Sequence, residues 1–407
     1  MEKQFAYLLM VSPDSNNNKY YRCTSNGDGT WTAEYGRVGS SPQKRIYPIN
    51  QWERKLNEKC KKGYVDQTDL IRDLVIADDG NRVRTEYKAI ENPAITEIVE
   101  RLQLMAQKAI ETNYNITVSK VTHAMLDEAQ RLLSELLTIS SLDEFNKKLL
   151  RLFTVIPRKM GNVKDYLARS CKDFPQIIQT EQDLLDVMKG QVVQNGLEIN
   201  PNKSDVNKNS VTILEAMGLM FEECSTEDVC LIKKLLGGCV GKFHNAWRVT
   251  NLRTQNMFDD FCSKENITNR KLLWHGSRNE NWWSIINNGL ALRPTNAVIT
   301  GKMFGYGIYY ASKARKSMGY TSLSGSIWTH GNSNSAFMAI MDVAYGKPYD
   351  VYAFDHKYYR FNYDTLQSVC PGANCLHAHA GRMLKNDEIV VYREDQMAIK
   401  YLVELKA

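Results

Sequence analysis

No stretch of this 407-residue chain approaches the roughly 20 apolar residues that a membrane-spanning helix needs. The N-terminal apolar run is only seven residues long, Phe5 to Val11, and no cleavage-like site follows it, so an intracellular soluble protein without a membrane partner is expected. The nine cysteines are an odd number, scattered singly with no CxxC pair, which excludes a dense disulfide framework and points to a reducing compartment. That compartment is expected to be the nucleus in a eukaryote and the cytoplasm in a prokaryote. No repeat of 20 to 50 residues is present, which excludes solenoids and propellers. Charge of one sign is not in large excess either. The 52 Lys and Arg against 46 Asp and Glu leave +6, enough to permit nucleic-acid contact without demanding it.

What is present is an ordinary globular composition, 43% hydrophobic and 24% charged, which excludes wholesale disorder. At roughly 150 residues per domain, the length suggests two to three domains. Up to about residue 42 the pattern is β: KQFAYLLMV, KYYRCT and WTAEYGRVG are strand-like runs. Asn26-Gly27 and Asp28-Gly29 form a turn cluster between the last two, so a meander is expected. From Asn50 the period changes, with Trp52, Leu56 and Cys60 on one face of an amphipathic helix. Between 85 and about 196, five segments carry apolar residues at helical spacing and predict an all-α bundle: ITEIVERLQLMAQKAI, AMLDEAQRLLSELL, LDEFNKKLLRLFTVI, VKDYLARSCKDF and IIQTEQDLLDVMKGQVV. The Asn-rich stretch 196–210 reads as a linker. Beyond it, helical segments alternate with LLWHGS, GIYYAS, FMAIMDVAYG, PYDVYAFD, DEIVVYRE and KYLVELK, predicting an α+β domain with a mostly antiparallel core.

Three places in that last domain carry candidate chemistry. In Leu272-Leu273-Trp274-His275-Gly276-Ser277 a strand delivers a His to a Gly-Ser turn, where glycine allows a ligand close to the backbone. In Thr300–Ala311 three glycines and four aromatics (Phe304, Tyr306, Tyr309 and Tyr310) suit either a glycine-relieved strand or a pocket whose ring faces hold a planar or cationic ring. Asp387-Glu388 opens the apolar run IVVY, and an acid there is uninformative taken alone.

Taken in order, HGS, GxGIYxA with Ser-x-x-Tyr after it, and a late strand-opening Glu resemble the signature of the poly(ADP-ribose) polymerase family. KFHNAWRVTNLRTQNMF is similar to the family's segment before the HGS strand, and LLRLFTVIPRKMG with TEQDLLDVM to its regulatory helical domain. Tyr35-Gly36-Arg37-Val38-Gly39 resembles the DNA-responsive module named for Trp-Gly-Arg (WGR), with Tyr in the Trp position, so the indole N–H is lost while a flat face remains. The resemblance implies three domains. These are a WGR-like DNA-binding module over 1–82, a helical regulatory, autoinhibitory domain over 85–200, and an ADP-ribosyltransferase catalytic domain over 208–407. The fold class expected is therefore multidomain α+β.

The reaction implied is cleavage of the nicotinamide–ribose bond of NAD and transfer of ADP-ribose to protein acceptors, the chain itself included. By resemblance the catalytic set is His275, Tyr309 and Glu388. Glu388 is implied to stabilise the oxocarbenium-like transition state and polarise the acceptor hydroxyl. His275 is implied to bind the adenosine-side ribose, Gly276 and Ser317 the carboxamide, and Tyr309 and Tyr320 the nicotinamide faces. Ser277, Asn281 and Tyr310 complete the implied NAD pocket. Met303 and Tyr306 fall at the acceptor site, where Tyr306 replaces a Lys common in the family. The complete His-Tyr-Glu set implies polymer formation; the alternatives are mono-transfer and a catalytically weak scaffold on DNA breaks. A delivered toxin is disfavoured by the missing signal peptide and the DNA-module resemblance.

DNA strand breaks are the implied activating partner, read without base specificity, and a monomer is expected in their absence. The implied contacts are Tyr35, Gly36, Arg37, Lys44 and Arg45, with Arg37 open to either a DNA-end or an interdomain role. From Lys44 to Lys62, seven basic residues face only Glu53 and Glu58, which suits a phosphate-tracking surface. Cys370-x4-Cys375-Leu-His377-Ala-His379 lacks the CxxC or HxxxH pairs typical of zinc sites and reads as a loop, so no metal is expected, while NAD as substrate is what the resemblance implies.

Overall fold

The computed structural model describes residues 4–71, 87–114, 121–199, 211–292, 303–382 and 384–407, except the side chains of 191 and 193–199. Both expected domain joints, 82–85 and 200–208, lie outside the described residues. The chain divides into two compact units, residues 1–84 with 107–199, and residues 85–106 with 200–407. Among the described residues no helix is long and apolar enough to cross a membrane.

The first unit opens with an antiparallel sheet: β1 (Phe5–Ser12), β2 (Asn17–Ser25), β3 (Thr30–Arg37), β4 (Gln43–Pro48) and the short β5 (Val65–Asp66), in the order β4-β3-β2-β1-β5. The β2–β3 turn contains Gly27 and Gly29 at φ +81° and +83°, conformations that L side chains resist. Helix α1 (Trp52–Lys61) closes one face by setting Trp52 edge-on against the buried Trp31, ring centroids 5.2 Å apart. Cys60, expected on its buried face, is exposed. The strand β4 was absent from the sequence expectation: its residues Gln43, Lys44, Arg45 and Ile46 are all exposed, and an edge strand without a buried face shows no alternation.

The helical part contains α2 (Pro93–Asn113), α3 (His123–Leu136), α4 (Leu142–Val155) and α5 (Phe174–Ile199). The side chains of Thr122 and Ser141 cap α3 and α4 by accepting from Met125 N and Glu144 N. VKDYLARSCKDF, expected as a helix, forms two short 3-10 turns instead, Val163–Tyr166 and Cys171–Asp173. The polar side chains of Asn162 and Asp173 bond to nearby backbone N–H groups there and offer an alternative to the helical ladder. Pro175 does not break the chain but occupies the first turn of α5, where its missing N–H is harmless, and α5 runs to Ile199, into the expected linker.

Arg158 joins sheet and helices within this unit. Its carbonyl accepts from Asn18 Nδ2 at 2.8 Å, and its guanidinium, buried among Tyr114, Phe153 and Tyr166, pairs with the buried carboxylate of Glu181. Burial pulls the Arg158 pKa down, so the guanidinium depends on its partner.

The second unit holds the mostly antiparallel core that the sequence predicts. One sheet has the order β6 (Leu219–Glu223), β7 (Phe243–Asn251), β14 (Met397–Lys406), β10 (Ser335–Ala344), β8 (Arg270–Gly276), all pairs antiparallel. The second has the order β11 (Pro348–Val351), β12 (Cys375–Ala378), β13 (Glu388–Val391), β9 (Ile308–Tyr310), with β11–β12 parallel. Thus 375–378 is strand, not loop. The central β10 is buried along almost its whole length, and Arg101 of α2 pairs with the buried Glu404 of β14 at 2.7 Å. The two sheets meet where Trp274 and Ala311 exchange backbone hydrogen bonds of 2.9 and 3.0 Å.

A buried charge stripped of its partner is strongly destabilising. Glu181→Ala should lower the unfolding free energy of the first unit by about 3–5 kcal/mol, read by urea denaturation; a change below 1 kcal/mol would show that Arg158 is satisfied without the carboxylate.

Candidate active site

Strand β8 ends on His275 and Gly276, beside the sheet junction. A Cβ built on Gly276 would lie 2.0 Å from the Ser317 carbonyl oxygen, so only glycine lets the strand pass this close to the short helix α6 (Ala314–Met318). The Ser317 hydroxyl donates to the Trp274 carbonyl at 3.0 Å, which turns its lone pairs, rather than its proton, toward other groups. His275 Nδ1 lies 3.1 Å from the Tyr309 carbonyl, an acceptor only, so Nδ1 carries the proton and Nε2 of the neutral ring is an acceptor.

The phenol of Tyr309 accepts from Phe304 N at 2.9 Å and donates to Gly305 O at 3.0 Å, so its hydroxyl pins the loop 303–307. That loop is held further by Tyr306 N on Phe361 O and by the Tyr392 hydroxyl on Phe304 O. Gly305, at φ +75°, passes so close to Phe361 that a Cβ would meet its carbonyl at 2.1 Å. Half-buried Met303 and Tyr306 are thereby fixed on this loop.

Glu388 opens β13, and register places it on the same sheet face as Val390, the cross-strand partner of Tyr309. It is 5% exposed. One carboxylate oxygen pairs with Lys316 Nζ of α6, while the other is buried with no hydrogen-bond partner among the described residues. Burial raises its pKa above the ordinary glutamate value, and the Lys316 ammonium opposes that rise. The same carboxylate lies within electrostatic reach of both phenols, Tyr309 and Tyr320; burial, with this charge behind it, pushes the Tyr320 hydroxyl up to about 12. Tyr320 stacks on Trp328 at 6.1 Å.

The structure therefore brings His275, Gly276, Tyr309, Ser317, Tyr320 and Glu388 to one place. Ser277 and Asn281 lie next to it, joined by a 3.0 Å hydrogen bond, with Asn281 Oδ1 buried and lacking a donor among the described residues. Tyr310 alternates to the opposite face of β9 and is fully buried, edge-on to His275 at 5.9 Å. Lys316 was missed by sequence reasoning: among Lys313, Arg315 and Lys316 nothing distinguishes the inward cation from its solvated neighbours.

In the first unit, Arg37 donates to the carbonyls of Asn16, Met160 and Gly161 at 2.7, 3.1 and 2.7 Å, an intramolecular use of the guanidinium. Tyr35 is half-buried beside Tyr21, and Gly36 follows it in β3. Lys44 pairs with Glu34 at 2.7 Å, Arg45 lies over the Tyr47 ring, and both stand on the exposed edge strand. Lys59 is drawn instead into a cage of Tyr21, Tyr35 and Tyr64, its pKa lowered by burial.

Two family descriptions match the chain: the poly(ADP-ribose) polymerase catalytic domain over residues 226–407 and the WGR domain over residues 4–70. An uncharacterized protein, 101L, of Invertebrate iridescent virus 6 is 31% identical over 57% of this chain and 94% of its own length. Poly [ADP-ribose] polymerase 2 of Arabidopsis thaliana is 21% identical over 98% of this chain and 72% of its own length. The protein of the same name from Zea mays is 24% identical over 77% of this chain, which spans 54% of that relative.

Because Lys316 alone opposes the rise that burial imposes on Glu388, Lys316→Met should move the Glu388 titration to higher pH by about one unit or more, as expected on losing a contacting opposite charge. Carboxyl-carbon NMR of the wild-type and variant chains measures it, and coincident titrations would rule out the electrostatic coupling.

Proposed function

The chain belongs to the poly(ADP-ribose) polymerase family and is an NAD+ ADP-ribosyltransferase, and from this premise we propose that it builds poly(ADP-ribose) on protein acceptors, itself included, in response to DNA breaks. The observation that carries the reading is the buried Glu388 carboxylate, braced on one oxygen by Lys316 and unpartnered on the other among the described residues, beside Tyr309 and Tyr320.

Breaking the nicotinamide–ribose bond leaves positive charge on the sugar, and a preoriented carboxylate in a water-poor site stabilises it strongly. Lys316 favours the ionised form that Glu388 needs. Nicotinamide leaves as a neutral molecule, the acceptor hydroxyl oxygen bonds to the anomeric carbon, and its proton passes to the carboxylate of Glu388. His275 Nε2, left as an acceptor by the Tyr309 carbonyl, suits a ribose hydroxyl. The Gly276 backbone and the lone pairs of Ser317 suit the two ends of a carboxamide, which fixes the ring's orientation. Tyr320 offers a face for the nicotinamide ring, and Tyr309 holds the loop beneath it. Asn281 Oδ1, buried and lacking a donor among the described residues, suits the adenosine side together with Ser277. Met303 and Tyr306, on the pinned loop, would meet the growing polymer or acceptor.

The regulatory part of the proposal assigns residues 1–82 to DNA, 85–200 to autoinhibition and 208–407 to catalysis. The exposed β4 edge with Lys44 and Arg45, and the exposed Arg54 and Lys61 of α1, support phosphate contact without base readout. The carbonyl contacts of Arg37 support the interdomain alternative for that residue: a sensor that grips Met160 and Gly161 can pass a DNA-induced strain to the helices. An opening that costs a few kcal/mol suffices to gate the site. Mono-transfer is the second reading, favoured by Tyr306 at the position where a Lys is common in the family.

Two outcomes are expected. With labelled NAD and nicked DNA the wild-type chain should give long polymer, and Glu388→Gln should reduce elongation by about 100- to 1,000-fold, more than it reduces NAD hydrolysis; single-unit products from the wild type would leave only the mono-transfer reading. Replacing Lys44 and Arg45 together by Ala should weaken binding to nicked duplexes of different sequence alike and lower the slope of log affinity against log salt by about one per lost phosphate contact. A sequence-dependent loss or an unchanged slope, read by fluorescence anisotropy, would remove β4 from the interface.

A further inference from the structure

On the sheet face opposite Glu388, the parallel register of β11 and β12 sets Asp350 beside His377. His379 follows two residues later, so both imidazoles project from the same side. His379 Nε2 lies 2.7 Å from Asp350 Oδ1, and His377 Nδ1 lies 3.9 Å from the same oxygen. One ligand atom from each of the three residues falls within 4.8 Å of the other two. Behind them, Asp387 Oδ2 is 3.3 Å from His377 Nε2, and the Tyr345 hydroxyl is 2.7 Å from His377 Nδ1. The sequence expectation had weighed these histidines with Cys370 and Cys375. Instead Cys375 is buried with its thiol on the Tyr345 carbonyl, and the acidic partners come from distant positions.

We propose that Asp350, His377 and His379 form a binding site for a divalent transition-metal ion, zinc by the chemistry of its donors. Two imidazole nitrogens and one carboxylate oxygen are a set that zinc takes where a fourth position stays open to water or another ligand. Nitrogen donors disfavour calcium and magnesium. With bonds of about 2.0–2.1 Å, tetrahedral ligand atoms stand roughly 3.3 Å apart. The observed 2.7 and 3.9 Å straddle that spacing, so small rotations about the exposed Asp350 and half-buried His379 side chains complete the geometry. With the His377 ring as it stands, Nδ1 is the nitrogen on the Asp350 side and can face the ion while Nε2 meets Asp387. Such outer partners fix the orientation of a liganding imidazole. Asp387 is itself anchored, its Oδ1 accepting from Ala380 N at 2.7 Å. The two carboxylates outweigh the ammonium of Lys271, which sits 3.4 Å over the Tyr345 ring, so the local balance favours an added cation.

The site does not depend on the enzymatic reading. It does share a strand with it: Asp387 and Glu388 are consecutive and face opposite sides of β13. An ion there would tie the ends of β11 and β12 to the residue that precedes the reactive carboxylate.

The test uses the full-length, tag-free chain, stripped with a chelator and titrated with Zn2+ in competition with a chromophoric chelator. One equivalent should bind, and His379→Ala and Asp350→Asn should each weaken it by more than the roughly 100-fold that outer partners command. Asp387→Asn should weaken it about 10- to 100-fold. His123→Ala, at an exposed histidine elsewhere, should leave it unchanged. Should His379→Ala alter the metal-free thermal transition, the exposed Asp350 variant decides. Co2+ in place of zinc should give visible bands of a low-coordinate site without thiolate charge transfer. Binding undiminished in Asp350→Asn and His379→Ala, no stoichiometric binding in the wild type, or a cobalt–thiolate band would each overturn the assignment; in the last case the ligands are cysteines.

Discussion

The passage of Gly276 across the backbone of Ser317 is the constraint on which the site depends. At 2.0 Å from a hypothetical Cβ to the carbonyl oxygen, there is no room for any side chain. The approach brings the end of one sheet against a helix that follows β9 of the other, and two backbone hydrogen bonds between Trp274 and Ala311 hold the sheets in register there. Once that contact is made, three consecutive consequences follow. His275 reaches the Tyr309 carbonyl, Ser317 reaches the Trp274 carbonyl, and Lys316, one residue earlier on the same short helix, is aimed at Glu388. A methyl group at position 276 would part the two sheets, and with them His275, Tyr309, Ser317 and Glu388.

The second determinant is electrostatic. The role proposed for Glu388 needs a carboxylate that is charged, dry and not already satisfied, and these demands conflict, because drying raises the pKa. Lys316 resolves the conflict by binding one oxygen only, which opposes the effect of burial while leaving the other oxygen without a donor among the described residues. A salt bridge using both oxygens would have left neither for the role proposed for Glu388. A solvated glutamate would have kept its charge but lost most of its strength in a high dielectric.

Much of this architecture was legible in the residues themselves. The strands carrying His275, Tyr309 and Glu388 alternate or run apolar, and the ordered HGS, GxGIYxA and late Glu elements could be read directly because each is short and local. What escaped detection was of two kinds. Strand β4 and the strand 375–378 lacked a hydrophobic pattern, the first because it is an exposed edge, the second because it interleaves Cys and His with apolar residues. Pairings across long sequence distance also escaped, since Lys316 with Glu388 and Asp350 with His377 become neighbours only through sheet topology. The segment 163–173 failed for a third reason: its apolar spacing is helical, but Asn162 and Asp173 give the backbone nearer partners.

That topological origin explains why one strand can serve two chemistries. Side chains alternate along β13, so a carboxylate committed to the pocket at position 388 leaves position 387 facing away, beside whatever β12 presents there. A hydrophobic residue at 387 would have served packing alone. An acid that meets the His377 imidazole instead makes the rear of the sheet polar, a placement that needs compensation when partly buried. Hydrogen bonds from Ala380 N and Tyr345 supply part of it. A cation between Asp350 and the two histidines would supply the rest, next to the residue that precedes Glu388.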